Sequence, residues 1–315
     1  MNRPKHIILL LLLGWAFSLP SYAQDHPQCA QIRFGSVGWL DAGASSAVAG
    51  ALLNALGYTT AIERLSVPVI FASMKNRNLD VFMEIMVPTM GEALKPYMVD
   101  NSVELVTKNL AGTKYTLAAN TFASKIGIEE FGDIAEHADA LGKTLYSTEP
   151  GSDGSVIVQQ MINQNLFNLG DFSVIQLTEQ ELLHSAQNAA NNQQPMIMLA
   201  IEPHPMNIMF ELKYLRDGDS VFGPKFGGAD VYTGVRTGFL NDCPNAAVLI
   251  SRLQFSLAMI NQIMTAILEL NAKPLVAAAA WLHQHPEKLE EWLSEVSTFD
   301  SKPGLPAVRS FIGLP

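Results

Sequence analysis

"QIRFGSVGWLDAG", residues 31–43, starts as a strand and ends as a turn. Ile32 and Phe34 alternate with Gln31 and Arg33, which fits a β-strand with one buried face. Gly35, Gly38 and Gly43 then interrupt the run, and Trp39 and Asp41 stand among them. Beyond the turn, Ser45 or Ser46 can cap a helix whose Val48, Leu52, Leu53 and Leu56 share a face, and Gly57 can stop it. "TTAIERLSV" reads as a second strand, residues 69–75 as a helix and "LDVFMEIM" as a third strand. Such alternation is the pattern of a parallel sheet with crossover helices.

The pattern begins again at Tyr115. "KYTLAAN", "KTLYSTE", "FSVIQLT" and "PMIMLAI" read as strands, separated by the helical stretches "EEFGDIAEHADAL", "SDGSVIVQQMINQ" and "EQELLHSAQNAAN". Two α/β units in succession predict two lobes, each a mainly parallel sheet flanked by helices. From about residue 245 the chain reads as almost all helical, including "AAVLISRLQFSLAMINQIMTAILEL" and "LVAAAAWLHQH". Residues 257–282 are apolar enough to raise a membrane span, but Asn261, Glu269, Asn271, Lys273 and Pro274 break them into two buried helices. Trp281, and Trp292 in the following helical stretch "PEKLEEWLSEV", read as packing residues.

The first residues read as a targeting segment. Arg3, Lys5 and His6 precede an apolar run too short to span a bilayer, and Ser21-Tyr22-Ala23 offers small residues at a cleavage site. Export follows, and no cysteine sits where a lipid anchor would attach, so no stable membrane anchor is expected. Hydrophobic residues make up 48% of the 315 and charged ones 16%, which allows a packed core and argues against disorder. The formal net charge of −10 becomes −12 once Arg3 and Lys5 are removed. A chain this acidic lacks the basic stripe that nucleic acid requires.

Cys29 and Cys243 are the two cysteines. In an oxidising compartment the simplest reading is one disulfide, with two buried thiols as the alternative. No His or Asp cluster flanks either one, so no metal site is expected.

In open α/β sheets ligands bind beyond the carboxyl ends of the strands. Trp39, Asp41, Met86, Ser152, Asp153 and Ile201 all follow predicted strands in that sense. Without a nucleophile–base pair or metal cluster, the arrangement points to a bilobed exported binding protein, with neither enzymatic activity nor a cofactor.

The motifs "VGWLDA", "LSVPV", "NLAGTKYTLA", "EPGSDG", "EPHPMN", "VFGPKFGGA", "CPN" and "AAAAWL" together give a specific resemblance. The chain resembles the periplasmic choline and glycine betaine binding proteins of ABC transporters, most closely their choline-binding branch, from Cys29 to the C-terminus. That resemblance implies a type II-like two-lobed periplasmic binding protein whose lobes hinge around a quaternary ammonium ligand. With the targeting segment taken as a signal peptide over residues 1–23, the expected division is a discontinuous first lobe over 24–112 and about 228–315, and a second lobe over about 113–227. The partners it implies are a membrane permease and its ATPase, the binding protein itself being a monomer.

In the family, aromatic rings box the cationic head by cation–π attraction and a carboxylate adds charge. Trp39 matches a box tryptophan, Asp41 the acid after it, Tyr115 the box tyrosine, and Cys29 with Cys243 a family disulfide. The second and third box tryptophans fall on Met86 and Ile201, a ligand-contacting asparagine on Ser152 and a glycine on Glu84. Two missing rings at about 1–2 kcal/mol each would weaken a choline-like ligand by roughly 2–4 kcal/mol.

Alternation along its strand puts Glu84 on the same side as Met86, which gives it either a ligand contact or a solvated or hinge salt-bridge role. A second acid there would favour a cation bearing N–H donors over a quaternary head. "EPGSDGS" has the glycine and serine of an anion loop, but Glu149 and Asp153 repel anions. Ser152 and Asp153 read instead as oxygen acceptors for the ligand. The same clamp could alternatively serve a periplasmic receptor that senses a ligand without transporting it.

Overall fold

The computed structural model describes residues 25–37, 40–269 and 271–315. Its strands are β1 (Gln31–Ser36), β2 (Thr59–Arg64), β3 (Val81–Val87), β4 (Val103–Leu110), β5 (Lys114–Ala119), β6 (Thr144–Ser147), β7 (Ser173–Gln176), β8 (Ile197–Glu202), β9 (Lys213–Tyr214) and β10 (Asp230–Arg236). They form two five-stranded sheets, ordered β2-β1-β3-β10-β4 and β7-β6-β8-β5-β9. This is the two-lobed α/β architecture that the sequence pattern predicts.

The sheets are mixed rather than purely parallel. β1 pairs in parallel with β2 and β3, and β6 with β7 and β8. β10 runs antiparallel to both β3 and β4, and β5 antiparallel to both β8 and β9. The reason lies in the chain path. β4 leaves the first sheet for the second and β10 returns from it, so β10 enters from the end at which β4 departs.

The first helix starts earlier than Ser45 or Ser46. It spans Leu40–Ala55, which places both serines inside it. Ser46 is fully buried and donates its hydroxyl hydrogen to Glu84 Oε1 at 3.0 Å, tying the helix to β3 instead of capping it. A serine inside a helix is tolerated when its hydroxyl finds an acceptor. Val48, Leu52, Leu53 and Leu56 are buried as the spacing requires, and Gly57 leaves the helix with φ +92°.

The long C-terminal apolar run is not one helix. Pro244–Arg252 and Leu257–Glu269 meet at a bend of 102°. Among the described residues no single helix is long and apolar enough to cross a membrane; only this bent pair passes, by length and composition. Trp281 is buried with its indole N–H donated to Gln262 Oε1 at 2.7 Å, and Trp292 packs edge-on against Phe255.

The beginning of the described chain is fastened in two ways. Cys29 and Cys243 form a disulfide, with Cα atoms 5.7 Å apart across 214 residues of sequence. Asp25 accepts the backbone N–H groups of Asn245 and Ala246, so it caps the Pro244–Arg252 helix from a distant part of the chain. A helix start otherwise carries unpaired donors, and the Cys243 side chain supplies no cap.

Nearby, Asp80 receives Arg33 and Arg236 together, through Nε and Nη2 of Arg33 and Nε of Arg236, at 2.8–2.9 Å. Burial alone would raise the Asp80 pKa, but the bonds from the two guanidinium groups outweigh it and hold the carboxyl below its ordinary range. A depressed folded-state pKa stabilises the fold above the unfolded value and ceases to do so as pH falls through the folded one. Asp80→Asn should therefore cost about 3–5 kcal/mol at pH 7, because two arginines lose a buried partner. The gap between variant and wild type should narrow in acid, as urea denaturation at the two pH values will show. Replacing Cys29 and Cys243 by serine should remove roughly 2–5 kcal/mol, read as a lowered unfolding midpoint that no longer responds to reductant.

Candidate ligand-binding site

A cavity of about 500 Å³ lies between the sheets. From the first sheet it is bordered by Val37, Arg64, Glu84 and Met86, and from the second by Tyr115, Ser152, Asp153, Glu179 and Ile201. Parallel strands in each sheet end toward this gap, so the segments after β2, β3, β6 and β7 all reach it.

Tyr115 is buried on β5 opposite Ile201 of β8. Its phenol oxygen accepts the Gly154 N–H at 2.9 Å. Gly154 is required here, because a Cβ at that position would lie 2.3 Å from the Tyr115 oxygen. The Asp153–Asn163 helix thus fixes the ring from behind.

Ile201 is buried in the core of the second lobe, while Met86 is half-buried and packs against the cores of both lobes. Ser152 is the N-cap of the Asp153–Asn163 helix, accepting from Ser155 N–H, and its hydroxyl lies 2.7 Å from that of Thr148. Asp153 faces the cleft at the first position of the helix. Crowding by protein on its inner side still desolvates its carboxyl and raises the pKa.

Glu84 borders the cavity, and its oxygens accept from Ser46 Oγ at 3.0 Å and Val37 N–H at 3.4 Å. These bonds make Glu84 a tie between the first helix, the end of β1 and β3. Trp39 lies outside the described residues. Asp41 falls in the first turn of the Leu40–Ala55 helix, and its side chain is also outside them.

Three bordering residues carry charge that the sequence reading did not assign to a site: Arg64, Glu149 and Glu179. Arg64 ends β2 and Glu149 follows β6, so the strand-end rule could have found both. Glu179 follows β7 within "TEQE", where it looks like an ordinary first-turn acid. Counting Glu84 and Asp153, four carboxylates and one guanidinium line the cavity among the described residues. Among those residues no group of three His, Cys, Asp or Glu side chains is placed to hold a metal ion.

Comparison with known proteins agrees with this geometry. The family described as the substrate binding domain of ABC-type glycine betaine transport systems matches residues 30–284. An ABC-transporter choline binding protein solved in complex with choline is 46% identical, with a TM-score of 0.86 over 91% of this chain and 99% of that one. Another structure, in an unliganded semi-closed conformation, is also 46% identical, with a TM-score of 0.82 over 91% and 100% of the two chains. The lactococcal OpuAC in complex with glycine betaine is 21% identical with a TM-score of 0.73 over 83% and 98%, a likeness of fold alone. The two mixed sheets and the match over residues 30–284 agree, and the chain belongs to the family of substrate binding domains of ABC-type glycine betaine transport systems.

Proposed function

We propose that this protein captures a small cationic or zwitterionic amine of the choline and betaine class in the periplasm and delivers it to an ABC permease and its ATPase. The observation that carries the ligand class is the lining of the cavity, with four carboxylates to one guanidinium among the described residues and the buried ring of Tyr115. Its volume of about 500 Å³ suits a small solute. The similarity to a choline-bound relative supports the same class.

In this reading residues 1–23 are a cleaved leader, residues 24–112 with about 228–315 make one lobe, and about 113–227 the other. Trp39 stacks on the cation, Asp41 supplies charge and Tyr115 closes the cage from the second lobe. Met86 and Ile201 supply apolar walls where rings would add π-faces. Ser152 and Asp153 offer oxygens at the mouth, and Glu84 contributes field from behind its own hydrogen bonds.

A thermal-shift panel of choline, betaines, carnitine, polyamines and guanidines tests the reading. A ligand at a hundred times its Kd should stabilise the fold by about 2.7 kcal/mol. Stabilisation by anions alone would overturn it.

The ring position gives a second expectation. Gly154→Ala must displace the Tyr115 phenol, so it should weaken amine binding about tenfold, a loss near one cation–π contact, measured by calorimetry.

Asp153 gives a third. Desolvation raises its pKa in the free protein, and a bound cation would favour its charged form, so binding should release a proton. Affinity for a permanent cation such as choline should then fall as pH drops through the carboxyl range. Asp153→Asn should flatten that profile and cost about fivefold at pH 7, the size of a solvent-exposed ion pair.

A further inference from the structure

Glu179 differs from the other carboxylates of the cavity. It is the first residue of the Glu179–Asn191 helix, which follows β7 at the cleft. The capping of that helix is done by its neighbours. Thr178 Oγ1 accepts from Glu181 N–H, and Glu181 Oε2 accepts from Thr178 N–H at 2.9 Å. Glu179 therefore has no capping work and is available for something else.

One of its oxygens is held from behind. His204 is buried, and its Nδ1 accepts the Met206 N–H at 3.0 Å. An accepting Nδ1 places the proton of the neutral ring on Nε2. That Nε2 stands 2.9 Å from Glu179 Oε1 and donates to it. The Glu179 side chain keeps 14% of its exposure, and among the described residues no donor bonds Oε2. The result is a carboxyl group at the border of the cavity with one oxygen held by His204 and the other without a protein donor among the described residues.

We propose that Glu179 is the carboxylate that selects amines bearing an N–H over quaternary ones, and that His204 positions it. This inference rests on the cationic-amine reading above and names the substrate class within it. A carboxylate oxygen enclosed together with a ligand loses its water and then needs a hydrogen-bond donor. A protonated tertiary, secondary or primary amine supplies one at about 2.8 Å. A quaternary head presents only methyl groups and leaves that oxygen without a donor. Among the described residues the other cavity acids are less suited. Glu84 is tied to Ser46 and Val37, while Glu149 and Asp153 are exposed and can be solvated by water.

Choline and N,N-dimethylethanolamine form the deciding pair of probes. They share a skeleton, and the second carries one N–H at pH 7 where choline has a methyl. Calorimetric Kd values for both should be measured with the wild type, Glu179→Gln, His204→Leu and His204→Gln. Wild type should bind dimethylethanolamine about 10- to 100-fold more tightly than choline. Glu179→Gln should reduce that ratio to about threefold or less, chiefly by weakening dimethylethanolamine. His204→Leu should reduce it similarly. His204→Gln keeps a side-chain N–H donor and should retain most of the preference, a rescue that a purely structural role would not produce. Unfolding midpoints check that each variant is folded, and Glu179→Gln decides the question even where a His204 variant is not. A wild type that binds both amines without preferring the N–H form refutes the selection while the amine reading stands. A preference that survives Glu179→Gln refutes the role of Glu179. A wild type that binds no amine in the panel overturns the amine reading itself.

Discussion

Thr113 holds Ala229 from both sides. Its hydroxyl donates to the Ala229 carbonyl at 2.9 Å and accepts the Ala229 N–H at 3.2 Å. Both passages of the chain between the sheets run through this point, β4 to β5 at residues 111–113 and the return into β10 at 227–229. The reciprocal pair leaves neither backbone group orphaned in a buried place. Asn109, just before the crossing, donates to the Met83 carbonyl and to Thr233 Oγ1, which anchors the outgoing strand in its own sheet. Beside the clamp, Gly227 adopts φ +65°, and a Cβ there would fall 2.1 Å from the Tyr115 carbonyl. The crossing and the tyrosine of the cavity are therefore in direct backbone contact. Any rotation of one lobe against the other must pass through a point that also carries a wall of the site.

The balance between rings and charges follows from what the walls are made of. A cation over an aromatic face gains about 1–2 kcal/mol when desolvated, and that attraction has no need of a donor. Met86 and Ile201 provide contact and dispersion, which are weaker per atom and indifferent to charge. Met86 nonetheless does something a wall alone would not, since it packs against the cores of both lobes and so bridges the gap. Where π-faces are fewer, carboxylates must hold a cation, and carboxylates distinguish a donor from a methyl group where rings do not. The aromatic content of the cleft and its selectivity are thus one question.

Much of this was legible in the sequence, and the gaps have physical reasons. The βαβ alternation exposes β1, β2 and β3 because parallel strands and their helices leave two periodicities side by side. β4 and β10 escaped, since their partners are distant in sequence and "VELVTKNL" and "DVYTGVR" are only partly apolar. Met86, Ser152, Asp153 and Ile201 all border the cavity because the strand-end rule depends on topology alone, while Tyr115, near the start of β5, was legible only through the family motif. Glu179 was hidden by its surroundings: an acid in the first turn of a capped helix looks electrostatically ordinary. Only the third dimension brings His204, 25 residues away, behind it. Ser46 shows the reverse case, a sequence-level cap that the fold uses as a buried donor.

The same charges that attract a guest oppose an empty closure. Two lobes that approach without one bring Glu84 on one side toward Glu149, Asp153 and Glu179 on the other, with Arg64 as the guanidinium among these lining residues. At an effective dielectric constant near 20, two like charges 8 Å apart repel by about 2 kcal/mol, so a net excess of acids penalises the shut state by an amount comparable to a single hydrogen bond to a charged group. A monovalent cation between them reverses the sign of the interaction. A ligand shifts a conformational equilibrium only by its differential affinity for the two states. Here that difference comes largely from the cation being surrounded by acids in one state and by water in the other. An uncharged solute of the same shape would fill the cavity and satisfy its apolar walls, yet it would leave the repulsion in place. The charge of the guest, more than its contact area, is what makes closure worth its cost in ordered side chains.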